Sequence, residues 1–285
     1  MKVVKWFYVV VLFAILLMAS IASAHDGWVQ SNVARVKLGE MVYFDMQFGN
    51  HGNTHRDYKI YGSKWDINKA TFILHRPKGA PVDLKSRIID VGMDESKTVN
   101  GGPYVDKNGY LVASFQAGQY GTYIMDVRQD MVVSYAPERS IKCTKSIVAS
   151  VPIPWADYGG SLSGFDKTLG QILEVLPLND PTGLKVGDTL TVQVLFNGNP
   201  LSDACLTVIP RGKQLPPFGE ENPYDLMTDT AGKASFTFQE ANYHLLVVHK
   251  DTTESGVLDG KVYTQTKYTG DLTVIVKPRA TGPGL

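Results

Sequence analysis

TLTVQVLFNG, residues 189–198, alternates apolar and polar side chains and then turns. Leu190, Val192, Val194 and Phe196 fall at every second position, with Thr191 and Gln193 between them. At that period one face of a half-buried strand collects the apolar side chains. Asn197-Gly198 follows, a pair that favours a tight hairpin turn. The same alternation appears in ASFTF (234–238) and TVIVK (273–277), whereas helix signals are scarce along the chain. Short strands separated by Gly, Asn, Asp and Pro predict an all-β chain of sandwich architecture.

The stretch also has a counterpart upstream. LKVGDTLTV (184–192) matches VKLGEMVYF (36–44): apolar, Lys, apolar, Gly, acid, then an alternating strand. Further on, Asp229-Thr-Ala-Gly232 precedes Phe238-Gln239 and Tyr243 at the same spacings at which Asp106-Lys-Asn-Gly109 precedes Phe115-Gln116 and Tyr120. Two matches in the same order indicate an internal duplication. The expected organisation is a signal peptide over 1–24, an N-terminal sandwich over 25–150, a linker over 151–170, a C-terminal sandwich over 171–280 and a tail over 281–285. The two tandem domains would be immunoglobulin-like or prealbumin-like. SVPIPWADYGGSLSG supplies the Pro and Gly of the linker. Gly39 and Asp106 lie 67 positions apart and Gly187 and Asp229 only 42, so the first half carries an insertion of roughly 25 residues. That extra sequence opens with GNHGNTHRDYKIYGSKW, and a segment grafted on a rigid sandwich is where function tends to live.

The chain begins with MKVVK and continues through a short apolar run that ends abruptly in small residues. This is the pattern of a secretory signal peptide, and Ala22 and Ala24 place the expected cut between Ala24 and His25. An uncleaved single-helix anchor is the competing reading. Cleavage would deliver a periplasmic or secreted protein with no membrane insertion of its own. The composition, 44% hydrophobic and 20% charged, is globular, and 28 basic residues balance 28 acidic ones, so net charge gives no reason to expect nucleic acid. Cys143 and Cys205 could form one disulfide in an oxidising compartment or remain two buried thiols on separate strands. No CxxC or cysteine-histidine cluster is present, which excludes a zinc finger.

Cleavage would make His25 the first residue, offering its α-amine and an imidazole nitrogen to one metal ion as a chelate. Asp26 could add a carboxylate. His51 and His55 lie four apart in a Gly- and Asn-containing loop that can bring both rings to one ion. On the strand NYHLLVVH, His244 and His249 are five apart and point to opposite faces, so at most one joins a shared site. His75, after TFIL, reads as a strand-end histidine. The order of preference for ligation is His25, then His51 and His55, then His249 or His244, then His75. No G-x-S-x-G, glycine-rich phosphate loop or H-E-x-x-H occurs, and no catalytic residue is assigned. The acids of DESK (94–97) and GEENPYD (219–225) read as solvated loop charges, and Trp155 and Tyr158 as packing between domains.

With its signal peptide, His-Asp start and glycine-histidine loop, and through EVLPLNDPTGLKVGDTLTVQVLFNGNPLSDACLTVIPRG and YDLMTDTAGKASFTFQEANYHLLVVHKD, the chain resembles the periplasmic components associated with bacterial nickel and cobalt uptake. The resemblance is densest from Leu173 to Asp251. It implies an accessory protein, not an enzyme, that binds Ni2+ or Co2+ and serves an energy-coupling-factor type transporter in the inner membrane. Cu2+ and Zn2+ suit the same nitrogen donors. GNHGNTHR departs from the usual glycine-histidine form by spacing its histidines with Gly, Asn and Thr. Two other classes stand beside this expectation: a copper enzyme with a terminal histidine brace, and a structural or carbohydrate-binding sandwich pair.

Overall fold

The computed structural model describes residues 26–49, 64–99, 102–153, 162–216 and 220–279. His25, His51, His55, Trp155 and Tyr158 lie outside them. Among the described residues the regular structure is strand, apart from one short 3-10 helix at Lys85–Arg87. In the first half the principal strands are β1 (Asp26–Ser31), β2 (Met41–Gly49), β3 (Ala70–His75), β4 (Leu111–Gln116), β5 (Gly121–Val132) and β6 (Glu138–Ser150). In the second half they are β7 (Leu173–Pro177), β8 (Thr189–Phe196), β9 (Cys205–Pro210), β10 (Asp225–Met227), β11 (Lys233–Thr237), β12 (Tyr243–Thr252) and β13 (Gln265–Ile275). Among the described residues no helix is long and apolar enough to cross a membrane.

The duplication is visible in the pairing. In the first half β2 runs antiparallel to β1 and β4, while β5 lies between β3 and β6. In the second half β8 runs antiparallel to β7 and β11, while β12 lies between β9 and β13. Gly39 and Gly187 both have positive φ, at 85° and 88°, as do Gly109 and Gly232, at 106° and 71°. Those backbones favour glycine. Asn197 and Gly198 also have positive φ, at 51° and 75°, and turn the chain so that Asn199 pairs with Phe196. This is the backbone a tight hairpin requires.

One detail differs from the sequence comparison. The backbone of Gly39 and Glu40 bonds to Ala117, whereas that of Gly187 and Asp188 bonds to Phe238. Val42 is therefore opposite Phe115 and Leu190 opposite Phe236, so Phe115 corresponds to Phe236 rather than Phe238. The two-residue slip preserves which side chains face inward, because strand side chains repeat every two residues. The extra sequence of the first half is also divided. Residues 50–69 separate β2 from β3 where 197–204 separate β8 from β9. A second excess lies between β3 and β4 and includes the hairpin of Met93–Val99 with Gly102–Asn108.

The two sandwiches are not separate beads. β6 and β13 pair in parallel from Glu138–Gln265 to Ser146–Thr273, joining both halves into one nine-stranded sheet of order β10-β9-β12-β13-β6-β5-β3 and Val82–Asp83, with Arg35–Val36 alongside β6. The two smaller sheets cover opposite faces of it. Val148 of β6 packs into the first core with Phe44, Phe72 and Met125. Ile141, Cys143 and Ile147 of the same strand pack into the second with Val192, Leu246 and Leu272. β6 is thus buried on both sides, the usual condition for a strand with a parallel neighbour.

β1 crosses this seam. Trp28 is fully buried against Ile209, Leu215, Leu245 and Val247 of the second half, while Val29 belongs to the first core. The backbone of β1 on the side away from β2 is satisfied from the sheet below. Val29 N donates to Thr144 Oγ1 (3.0 Å), Ser31 N donates to Ser146 Oγ (3.1 Å), and Val29 O accepts from Thr273 Oγ1 (2.6 Å). These hydroxyls explain why Thr and Ser occupy a strand with no solvent face. Gly27 is required by close approach, since a Cβ there would stand 2.5 Å from the Trp65 ring and 2.8 Å from Phe48.

Candidate functional site

The first described residue lies at the seam and is almost fully buried: Asp26 is 1% exposed. Buried carboxylates need partners, and Asp26 meets one from each of three strands of the shared sheet. His249 Nε2 donates to Asp26 Oδ2 at 2.5 Å, Thr269 Oγ1 donates to Oδ1 at 2.8 Å, and Lys142 Nζ stands 3.5 Å from Oδ1. Lys142 also lies over the Phe48 ring, 5.4 Å from its centroid. His249, Thr269 and Lys142 are successive cross-strand partners on β12, β13 and β6, so register alone places them under β1. The carboxylate accepts, so Nε2 of His249 carries a proton, and in the neutral ring Nδ1 then holds the lone pair. The His249 side chain is 31% exposed, at the open end of the seam.

One step along the same face, Asp271 is fully buried and contacts the Thr144 hydroxyl. Burial pushes its carboxyl well above the usual range, and the neighbouring Asp26 charge adds to the effect. Burial thus favours the protonated form of Asp271 beside Asp26.

The opposite face of the seam holds a second polar cluster. Lys145 is fully buried, with its ammonium 2.7 Å from Glu174 Oε1, and burial lowers its pKa. Glu174 also accepts from Leu169 N (2.9 Å). Arg128 grips Asp126, with Nη2 2.6 Å from Oδ2, and donates to the carbonyls of Leu169 and Gly170. Gln171 Nε2 donates to Asp126 Oδ1 (2.7 Å), and His75 Nε2 lies 3.5 Å from Oδ2. Against the burial that would raise it, contacts with His75, Arg128 and Gln171 hold the Asp126 carboxyl below its ordinary value.

Of the residues singled out in the sequence, the structure brings together Asp26 and His249. His244 is on the other face of β12, buried edge-on against Phe238, with Nδ1 3.2 Å from the Asn242 carbonyl. Burial lowers its pKa to about 4, so it is a neutral core histidine. His75 closes β3, far along the sheet from Asp26. Among the described residues no three His, Cys, Asp or Glu side chains form a group able to hold a metal. Cys143 and Cys205 are not bridged; Cys143 lies in the second core, where burial pushes its thiol up to about 11. DESK lies on an exposed hairpin, where Lys97 meets Glu95. Thr269 and Lys142 were missed by pattern reasoning. The available signal was the polar content of KCTKS (142–146) and YTGDLTV (268–274), which would be odd for strands lacking a solvent face.

The family described as Domain of unknown function (DUF4198) matches residues 22–251. The chain belongs to that family. No curated protein matches it. Solved structures with some similarity include a DUF4785 family protein from Legionella pneumophila, at 11% identity over 77% of this chain and 52% of that one, with a TM-score of 0.24. Escherichia coli alpha-2-macroglobulin activated by porcine elastase gives 10% identity over 90% of this chain and 20% of that one, with a TM-score of 0.23. The Escherichia coli adhesin FdeC gives 16% identity over 88% and 63%, with a TM-score of 0.20. The chain thus spans about half of the first and a fifth of the second. Similarity this distant carries no functional argument.

Proposed function

We propose that this DUF4198 protein is a periplasmic accessory protein that captures Ni2+ or Co2+ at its processed amino terminus and passes the ion to an energy-coupling-factor type transporter. The observation that supports the reading is the burial of Asp26 on His249, Thr269 and Lys142. Asp26 is the residue that would follow the new amino terminus once residues 1–24 are removed, so its anchoring gives the proposed amine–imidazole chelate a fixed neighbour in the chain. The amine and the imidazole form the chelate, and the amine releases its proton as the metal binds. His51 and His55 supply further imidazoles, and a donor set left incomplete allows release to the transporter. Asp26 and His249 serve as positioning residues for the terminus.

The test is calorimetric titration of Ni2+, Co2+, Cu2+ and Zn2+ into the secreted protein, once mass spectrometry has identified His25 as its first residue. A form with one extra residue before His25 is run beside it. Tight Ni2+ or Co2+ binding by the authentic form and its loss in the extended form is the expected outcome. Equal, weak binding by both would remove the metal reading in favour of a structural or glycan-binding pair of sandwiches.

A further inference from the structure

Beyond His249 the seam opens into a cleft of about 310 Å3 lined by Cys205, Thr207, Met227, His249 and Asp251 among others. Cys205, Met227 and His249 carry soft or borderline donor atoms that the terminal chelate does not take up, and strand register places them on successive strands. Met227 of β10 is directly opposite Cys205 of β9. Leu206 pairs with Val248, so the next position along sets Cys205 beside His249 of β12. All three point to one face. Leu206, Leu226 and Val248, their neighbours of opposite parity, pack in the second core, whereas Cys205 Sγ lies 3.9 Å from the hydroxyl of Thr207 on the cleft side. Side chains opposite one another on antiparallel strands have Cβ atoms about 5 Å apart, so an ion above Cys205 is within reach of both flanking donors.

Two observations distinguish this arrangement from a chance meeting. His249 donates Nε2–H to the buried Asp26 carboxylate, the outer contact that metal-binding imidazoles characteristically make. Nδ1 makes no hydrogen bond to the described residues, and in the neutral ring it is free to ligate. Met227, second, is 61% exposed on the other side of Cys205 from that imidazole, so its thioether is open to the cleft.

From this geometry we infer that Cys205, Met227 and His249 form a second metal site, selective for a soft monovalent cation such as Cu+. A thiolate, a thioether and a neutral imidazole make a three-coordinate set whose single negative charge balances one positive charge. Thioether sulfur is a soft donor that suits Cu+ and is a poor partner for Ni2+, Co2+ or Zn2+. On binding, the Cys205 thiol gives its proton to solvent and the metal keeps its oxidation state.

The site is tested by anaerobic titration of the secreted protein with Cu+ in the presence of bicinchoninate as a competing chromophoric chelator. One Cu+ per chain should be retained against the chelator. Cys205→Ser and Met227→Leu should each weaken retention by roughly ten-fold or more, and X-ray absorption should show two sulfur neighbours of copper in the unaltered protein and one fewer in either variant. Cys143→Ala serves as the control and should retain Cu+. Both cleft variants should bind Ni2+ as the unaltered protein does, while the extended amino terminus should lose Ni2+ and keep Cu+. The two sites can thus fail separately. No retention by the unaltered protein, or undiminished retention by Cys205→Ser, overturns the proposal.

Discussion

The two faces of the shared sheet at the β6–β13 seam carry charge in different ways. On one face Lys145 is closed over by Glu174, and Asp126 by Arg128, His75 and Gln171, so each charge finds an opposite partner within the protein. On the other, Asp26 meets Lys142 and Thr269 but also an imidazole that is about a third exposed and opens on a cleft. A self-neutralising cluster ties down residues 169–174 and needs no ligand. A carboxylate that fixes one nitrogen of a half-exposed histidine leaves the other nitrogen for something else. The same polar chemistry, on two faces of one pair of strands, is closed in the first case and open to a cleft in the second, which is where the proposed binding is assigned.

The comparison can be broken from the structural side first, where the largest effect is expected. Glu174→Ala leaves the Lys145 ammonium buried without its partner and should cost about 3–5 kcal/mol, read as a fall in the urea midpoint. Ni2+ affinity of the folded protein should stay as it was. An unchanged midpoint would mean that Lys145 has another partner or sheds its proton.

Acid supplies the next largest effect. His244 is held neutral with a pKa of about 4, below its value of about 6.5 in an unfolded chain. Between those values the unfolded state binds the extra proton. Its contribution is therefore complete above pH 6.5 and is lost as pH falls toward 4, on the order of 3 kcal/mol. Urea midpoints measured across that window should fall with pH, and His244→Phe should flatten the profile.

On the binding face, Asp26→Asn removes the charge that faces Lys142 and loosens the hold on His249. A stability loss of about 1–3 kcal/mol and a drop in Ni2+ affinity of roughly ten-fold are expected, by urea denaturation and calorimetry. The last effect is the smallest, and it is a gain. Asp271 must remain protonated to be buried, so its raised pKa costs stability as pH rises above the ordinary carboxyl value. Asp271→Asn should raise the urea midpoint at pH 7 and leave it nearly unchanged at pH 4.

The sandwich fold was legible in TLTVQVLFNG because β8 has one covered face, and its alternation records which side is inside. The shared sheet was not. β6 reads ERSIKCTKSIVAS, and with both faces covered no alternation is left to see. Lys142 and Lys145 look like surface residues in that string, since their partners Asp26 and Glu174 are supplied from 116 and 29 residues away. The repeat was visible, but its register was not, because the sequence match favours Phe238-Gln239 as the counterpart of Phe115-Gln116, whereas the backbone bonds of Gly187 put Phe236 in that place. The Asp26–His249 pair joins residues 223 apart through the crossing of β1 over the seam, which no spacing rule reports. What the sequence offered there was chemistry: an acid after a potential terminal histidine, and a histidine on the outward side of its strand.

The most direct test of the central claim is to load the mature protein with Co2+ and map its paramagnetic effect on the amide resonances. The account predicts the strongest shifts and broadening at Asp26, Gly27, Phe48 and Thr269, where β1 begins on the seam, fading toward Lys145 and Glu174 across the sheet. Effects centred elsewhere, or none at stoichiometric Co2+, would contradict it.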